Sequence, residues 1–333
     1  MIGSGAPQAL RWPAMASLDV AVLDDYQGLA RDYGPWERLA GQVQLHSFSD
    51  HIDDDDELVA RLEPFEVVVA MRERTPFSKA RLERLPRLRL LVTTGMGNAA
   101  IDLDAAAQRG VLVSGTGIGM SSTGELTWGL ILALTRRICE EDANLRAGGW
   151  QRTVGPELAG RTLGLIGLGR LGTQVAGYGA AFAMEVIAWS ENLDRAHAAT
   201  LGVQAVAKDE LLERADIVSI HTRLSERTRG LIGARELALM QPSAYLINTS
   251  RGPIVDEQAL VAALHAGQIA GAALDVFDRE PLASDNPLRS APNTLLTPHI
   301  GYVAEDSYRG FYHDIVADIE AWLAGSPIRV LGG

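Results

Sequence analysis

Cysteine occurs once in the 333 residues, at Cys139, which excludes an internal disulfide framework and any multi-cysteine metal site. Cys139 lies in "LTRRICEED" and reads as a plain helix position. No apolar run approaches the roughly 18 residues that a membrane span requires. Positive charge is also short: 30 basic groups face 42 acidic ones, for a formal net charge of −12. That balance argues against nucleic acid or an anionic membrane as the main partner, while leaving room for a local basic pocket. The first 17 residues, "MIGSGAPQALRWPAMAS", lack the basic start and apolar core of a signal peptide. They read as a loose extension, with Met15 an alternative start, and the expected location is cytoplasmic. There is no internal repeat and no low-complexity tract.

The chain is too long for one small core, and its 47% hydrophobic and 22% charged residues are ordinary for a soluble globular protein, so two domains are expected. From residue 18, short apolar runs alternate with helical spacing. "LDVAVL" (18–23), "VQLHSF" (43–48), "FEVVVAM" (65–71), "LRLLVTT" (88–94) and "GVLVSG" (110–115) read as strands. A second series comprises "TLGLIG", "EVIAWS" (185–190), "DIVSIH" (216–221), "AYLINTS" (244–250), "GAALDVF" (271–277) and "TLLTPH" (294–299). Alternation of this kind predicts parallel sheets covered by helices on both faces. Residues 121–150 read as one long helix between the two series, and 304–325 as a final helix that returns to the first domain. The expected architecture is α/β with two domains: a discontinuous one over 18–118 and 300–333, and a second over 119–299. The aspartates of "HIDDDDE" (51–57) are better suited to capping the following helix than to holding a metal.

"GLIGLGRLG" sets Gly167, Gly169 and Gly172 in a G-x-G-x-x-G pattern, followed by a helical segment that starts at Arg170 and Leu171. Alone the pattern is weak, but here it follows a strand and opens a helix, the context that dinucleotide binding requires. Glycines permit a tight turn and close backbone approach, and the helix N-terminus offers N–H groups to a pyrophosphate. The next strand ends in "WSENLDR", with Ser190 where an acidic ribose acceptor is expected and Glu191 one residue later. Glu191 favours NAD; Ser190, Asn192 and Arg195 can instead accept the 2′-phosphate of NADP.

Three later strands each deliver chemistry to their C-terminal ends, where open α/β sheets bind ligands. "YLINTSRGP" presents Asn248, Thr249, Ser250 and Arg251, whose guanidinium can grip a carboxylate through two parallel hydrogen bonds. "ALDVFDREPL" presents Asp275 and Glu280, and "TLLTPHIGY" presents His299 before Gly301, a small residue that leaves room beside a nicotinamide. Reducing a 2-keto acid needs a cation for the carboxylate, an acid for the carbonyl oxygen and a carboxylate that keeps that acid protonated. One residue of each type is present.

Taken together, "TTGMGNAAIDLDAAAQRGVLV", "ELAGRTLGLIGLGRLG", "NTSRGPIVDEQAL", "LDVFDREPL" and "TPHIGY" resemble the D-isomer-specific 2-hydroxyacid dehydrogenase family, in that family's order. The resemblance implies a flavodoxin-like substrate domain and a Rossmann-type NAD(P)-binding domain that close on each other. It implies that Arg251 binds the substrate carboxylate, that His299 donates the proton, that Glu280 holds His299, and that Asp275 meets the nicotinamide carboxamide. Thr94, Gly95 and Met96 match the loop whose backbone N–H groups meet the substrate carboxylate. A homodimer through the nucleotide domain is implied as well. The sequence departs from the pattern at Ser190, commonly aspartate in members that use NAD, and at Arg223 in "HTRLSERT", where many relatives have Pro-Leu. Glu280 disfavours the formate-oxidising branch, which carries glutamine there. Arg72 and Arg74 can hold an anionic substrate group or lie in solvent. The expected activity is NAD(P)-dependent hydride transfer on a small D-2-hydroxy or 2-keto acid of the glyoxylate, hydroxypyruvate or phosphoglycerate type. A nucleotide-sensing binding protein or corepressor on the same fold is the alternative.

Overall fold

The computed structural model describes residues 17–117 and 121–332. Of the expected N-terminal extension only Ser17 is described, and residue 118, the expected first crossing, lies outside the described residues. The chain divides into two compact units, residues 1–119 with 305–333, and residues 120–304.

In the first unit the apolar runs form five parallel strands, β1 (Leu18–Val22), β2 (Val43–Ser47), β3 (Val67–Ala70), β4 (Leu90–Thr93) and β5 (Leu112–Gly115). Their order, β2-β1-β3-β4-β5, is flavodoxin-like and reverses between β1 and β3. β3 and β4 are buried along their whole length, which is why their sequences are continuous apolar runs rather than alternating ones. Asp54 caps the helix Asp55–Leu62 by accepting from Asp56 and Glu57 N–H, both at 2.9 Å, while Asp55 pairs with Arg81 and Arg84. The aspartate run is therefore engaged in capping and surface pairing. The helix Glu305–Leu323 returns to this unit and buries Tyr308, Phe311, Tyr312, Ile315 and Ile319. Beyond it, Leu331 N–H donates to Val113 O at 2.8 Å, so the C-terminal segment covers the edge of β5.

The second unit carries seven parallel strands, β6 (Thr162–Ile166), β7 (Glu185–Trp189), β8 (Gln204–Ala205), β9 (Ile217–Ile220), β10 (Tyr245–Asn248), β11 (Gly271–Leu274) and β12 (Thr294–Leu296). The order β12-β11-β10-β9-β6-β7-β8 is that of a Rossmann sheet extended by one strand, with its reversal between β6 and β9. β8 has no counterpart in the sequence reading because two partly exposed residues carry no apolar run.

One expectation is corrected. The single helix over 121–150 is two, Ser122–Thr135 and Ile138–Arg146, with Arg137 between them in the left-handed region at φ 52°. Gly155 packs directly on the Thr135 carbonyl, where a Cβ would collide, so a crossing chain segment occupies the place of the next turn. The second division between the units follows Ala304. Ile300 and Gly301 N–H groups donate to the Asp275 carboxylate, both at 2.8 Å, which ties that stretch to the second unit.

Candidate active site

Each glycine of the loop after β6 has its own reason to be glycine. Gly167 sits at φ +101°, and a Cβ there would lie 2.9 Å from the His221 carbonyl, so the tight turn tolerates no side chain. A Cβ on Gly172 would run into Gly167 O, so this position lets the helix Arg170–Ala181 approach the strand. At Gly169, in contrast, nothing lies within 4 Å of a Cβ position. The fold itself does not demand glycine there. Open space at the N-terminus of a 12-residue helix, beside exposed Gly169 and Arg170 and half-buried Leu171, fits a pyrophosphate held by backbone N–H groups.

β7 ends at Trp189, so Ser190 and the exposed Glu191 begin the turn beyond it. Asp194 caps the helix Arg195–Thr200 through Ala196 and His197 N–H, and Asn192 and Arg195 are exposed. Arg223 is also exposed, its carbonyl taken by the Thr228 hydroxyl at 2.7 Å. His221, just after β9, escaped the sequence reading. It lies at the switch point under the glycine loop, bonded to Ser219 Oγ at 2.9 Å, and burial pushes its pKa down to about 4. It is thus a neutral ring, and its own backbone carbonyl is what a Cβ on Gly167 would strike. The rule that singled out His299, a histidine at a strand end, applied to "DIVSIH" equally.

The ends of β10, β11 and β12 are cross-braced. Asn248 Nδ2 donates to Arg251 O at 3.0 Å, and Asn248 Oδ1 accepts from Ser250 N–H at 3.0 Å. Thr249 Oγ1 meets Thr127 Oγ1 at 2.8 Å, and Ser250 Oγ donates to Thr222 O. Arg251 is half-buried and its Nη1 donates to Ser250 O at 2.8 Å. Gly252 behind it presses on the backbone of Phe277 and Asp278, which explains why glycine follows the arginine.

Asp275 is 1% exposed, and burial raises its pKa. Its Oδ1 accepts from Thr297 Oγ1 at 2.6 Å and Ile300 N–H at 2.8 Å, and its Oδ2 accepts from Gly301 N–H at 2.8 Å. In this structure it is the anchor of the histidine loop. The space beside Gly301 is filled from within the unit, since a Cβ there would meet Asp275 Oδ2 at 3.1 Å and Thr123 at 3.2 Å. A side chain at this position would crowd both groups, which gives the glycine a packing reason of its own.

Glu280 and His299 are brought together. Glu280 Oε1 accepts from Phe277 N–H at 2.9 Å, and Oε2 lies 2.5 Å from His299 Nδ1. His299 adopts φ 54°, uncommon for a residue with a side chain, and its ring meets that of Tyr302 edge-on at 5.6 Å. A carboxylate on Nδ1 fixes the tautomer and leaves Nε2 as the nitrogen that exchanges protons.

In the first unit, the 94–96 loop follows β4. Thr94 N–H donates to Ala70 O at 3.2 Å and Gly95 N–H to Thr116 Oγ1 at 2.8 Å. Two of the three N–H groups expected to face a ligand are thus already bonded within the unit, and Met96, exposed at 47%, carries the remaining one. Neither Arg72 nor Arg74 lies free in solvent. Arg72 Nη1 donates to Thr94 O at 2.9 Å, Arg74 Nη1 donates to Asp24 O at 2.8 Å, and both are half-buried.

The family model described as "D-isomer specific 2-hydroxyacid dehydrogenase, NAD binding domain" matches residues 128–301. The chain belongs to that family. It is therefore an oxidoreductase whose second unit is the family's nicotinamide-nucleotide domain. It is 44% identical over 228 residues to a glyoxylate reductase of Aeropyrum pernix, covering 66% of this chain and 68% of that protein. It is 37% identical over 274 residues to a D-3-phosphoglycerate dehydrogenase of Methanocaldococcus jannaschii, covering 81% of this chain but only 52% of that one. Among solved structures, a phosphoglycerate oxidoreductase from Vibrio cholerae O395 superposes with a TM-score of 0.89 at 36% identity, over 92% of this chain and 99% of the other. Among the described residues, no helix is long and apolar enough to cross a membrane.

Proposed function

We propose that the chain interconverts a small D-2-hydroxy acid and its 2-keto form with NAD, or alternatively NADP, as hydride carrier. A bound nicotinamide supplies or accepts the hydride. The chain's own residues do the remainder. Arg251 grips the substrate carboxylate with paired N–H donors, a match that lysine lacks. His299, held through Nδ1 by Glu280, delivers a proton from Nε2 to the carbonyl oxygen and takes it back in the reverse direction. Glu280, on Nδ1, fixes the direction of the ring. Thr94, Gly95 and Met96 shape the end of β4 for the substrate, with Met96 N–H as the donor. Gly167, Gly169, Arg170, Leu171 and Gly172 cradle the pyrophosphate, and Ser190 with Glu191 meets the adenosine ribose. Thr249, Ser250, Asp275 and Gly301 line the nicotinamide end.

The observation that carries this reading is the 2.5 Å contact between Glu280 Oε2 and His299 Nδ1. A carboxylate aimed at one imidazole nitrogen prepares the other for proton transfer. Glu191 supports NAD as the preferred carrier, and glyoxylate, hydroxypyruvate and phosphoglycerate-type acids are the candidate substrates. We also assign the protein as a cytoplasmic homodimer through its nucleotide unit. The test is oxidation of NADH and NADPH by purified protein against a panel of 2-keto acids, with His299→Ala as control. Turnover of at least one acid, lost in the variant, is expected; no turnover across the panel overturns the proposal.

A further inference from the structure

Keto-acid reduction asks Arg251 and His299 to meet neighbouring groups of one small molecule, the carboxylate and the carbonyl oxygen beside it. Their spacing must be held, because a misplacement of about 1 Å can cost about 10²-fold in rate. The strand ladders do not hold it alone. Their pairs end at Asn248, Leu274 and Leu296, short of both Arg251 and His299. Other bonds brace each loop locally: Asn248 and Ser250 the Arg251 loop, Asp275 and Glu280 the histidine loop. Two threonines of the helix Ser122–Thr135 reach both loops. Thr123 Oγ1 donates to Gly301 O at 3.0 Å, and Thr127 Oγ1 meets Thr249 Oγ1 at 2.8 Å. Residues four apart share a helix face and stand about 6 Å apart along its axis.

We propose that Thr123 and Thr127 are positioning residues that fix the distance between His299 and Arg251, Thr123 through the histidine loop and Thr127 through Thr249. The inference rests on the reaction proposed above. Each contact has a fixed direction. The Thr123 carbonyl has no proton to give, so Thr127 donates to it, at 2.8 Å. With that proton committed, Thr127 can only accept from Thr249, whose O–H is thereby turned toward the helix. Thr127 is fully buried and Thr249 is 7% exposed, so solvent offers neither hydroxyl an easy alternative partner.

On the histidine side, Gly301 is held through both of its backbone groups. Its N–H donates to Asp275 Oδ2 at 2.8 Å, and its C=O accepts from Thr123. Asp275 belongs to the same stretch of chain as Glu280, so its bonds keep Glu280 and His299 together without placing the pair against β10. Thr123 supplies a bond from outside that stretch. His299 also sits at φ 54°, a conformation that persists only where the surroundings restrain it. The helix is in turn seated on the one that opens at the glycine loop, Arg170–Ala181. Gln174 Nε2 donates to Ser121 O at 2.9 Å, and Gly124 leaves room for the Gln174 side chain. One helix thus ties together the glycine-loop helix, the Arg251 loop and the histidine loop, all within residues 120–304.

The test compares Thr123→Val, Thr123→Ala, Thr123→Ser and Thr127→Val with the wild type, on the keto acid that the wild type reduces fastest. The readouts are kcat, KM, the solvent deuterium isotope effect on kcat, NADH affinity by fluorescence titration, and melting temperature. Thr123→Val and Thr123→Ala are expected to lower kcat about 10–100-fold, with NADH affinity within about threefold of the wild type. Their solvent isotope effect should rise, because a misplaced donor makes proton transfer limiting. Thr123→Ser should recover kcat to within about threefold of the wild type. The serine and alanine variants both lack the methyl and differ only in the hydroxyl, so their comparison stands even if Thr123→Val folds poorly. Thr127→Val should raise the keto-acid KM about tenfold and leave the isotope effect unchanged. Equal kcat in the serine and alanine variants, or a lowered melting temperature with wild-type kcat, overturns the role of Thr123. An unchanged KM in Thr127→Val overturns that of Thr127. Either result leaves the proposed function standing, since the wild type still turns over; absence of any keto-acid turnover by the wild type overturns both.

Discussion

Glu280 Oε2 and His299 Nδ1 lie 2.5 Å apart, although 19 residues separate them in the chain. The pair closes because Glu280 is pinned by Phe277 N–H at the end of β11, and the histidine loop by the Asp275 carboxylate just before it. Both supports come from one stretch of backbone. A shift in that stretch would move donor and acceptor together and preserve the contact.

Removing the ring is expected to cost most. His299→Ala should lower kcat by about 10²–10⁴-fold, the usual contribution of a positioned general acid. Glu280→Gln keeps the shape and the Phe277 bond but loses the charge, and should lower kcat substantially with cofactor affinity unchanged. Steady-state kinetics beside a fluorescence titration of NADH separate the two; wild-type kcat in Glu280→Gln would reduce the pair to a structural contact.

The glycines should respond differently to the same substitution. Gly172→Ala drives a Cβ into Gly167 O and should destabilise the nucleotide unit by about 1–3 kcal/mol. Gly169→Ala meets nothing, so its melting temperature should equal the wild type while cofactor affinity falls about tenfold or more. Thermal melts without cofactor, followed by a binding titration, check both halves.

His221 should make the nucleotide unit acid-sensitive. Its pKa falls from 6.5 to about 4 on folding because the ring is buried. Between those values the unfolded chain binds the extra proton, so this contribution to stability is present above pH 6.5 and is lost as pH falls toward 4. His221→Gln should flatten the melting temperature across that window; an unchanged slope would show that the ring titrates normally.

Asp318 should act with the opposite sign in the first unit. Burial raises its carboxyl from 3.8 to about 7 despite the Arg329 guanidinium 3.0 Å from Oδ1. Here the folded state holds the extra proton, so stability declines as pH rises from about 4 to 7. Asp318→Asn should melt higher than the wild type at pH 8 and show a smaller difference at pH 4.5.

Much of this site could be read from the linear chain, and the reason is periodicity. Buried parallel strands must be continuous apolar runs, so β6, β9, β10 and β11 announce themselves, and whatever follows such a run lies at the ligand-binding edge. That logic reached Arg251, Glu280 and His299 without any coordinates. It did not reach His221, which satisfies the same rule, because its neighbours carry no recognisable partner such as Glu280. β8 and the break at Arg137 were hidden for a different cause: two residues make no pattern, and helical spacing does not register where another segment crosses a carbonyl.

The sequence by itself determined the two parallel sheets, the glycine loop and the residue types that keto-acid chemistry requires, since each follows from local rules of burial, turn geometry and charge. Only the tertiary structure decided how those residues are employed. It made Asp275 the anchor of the histidine loop, filled the space at Gly301 with Asp275 and Thr123, and took up the Thr94 and Gly95 N–H groups. It also seated His51 on Asp24, 27 residues away. Hydrogen-bonding groups buried at strand ends must find partners, and which partner each finds depends on strands that are neighbours in space rather than in sequence.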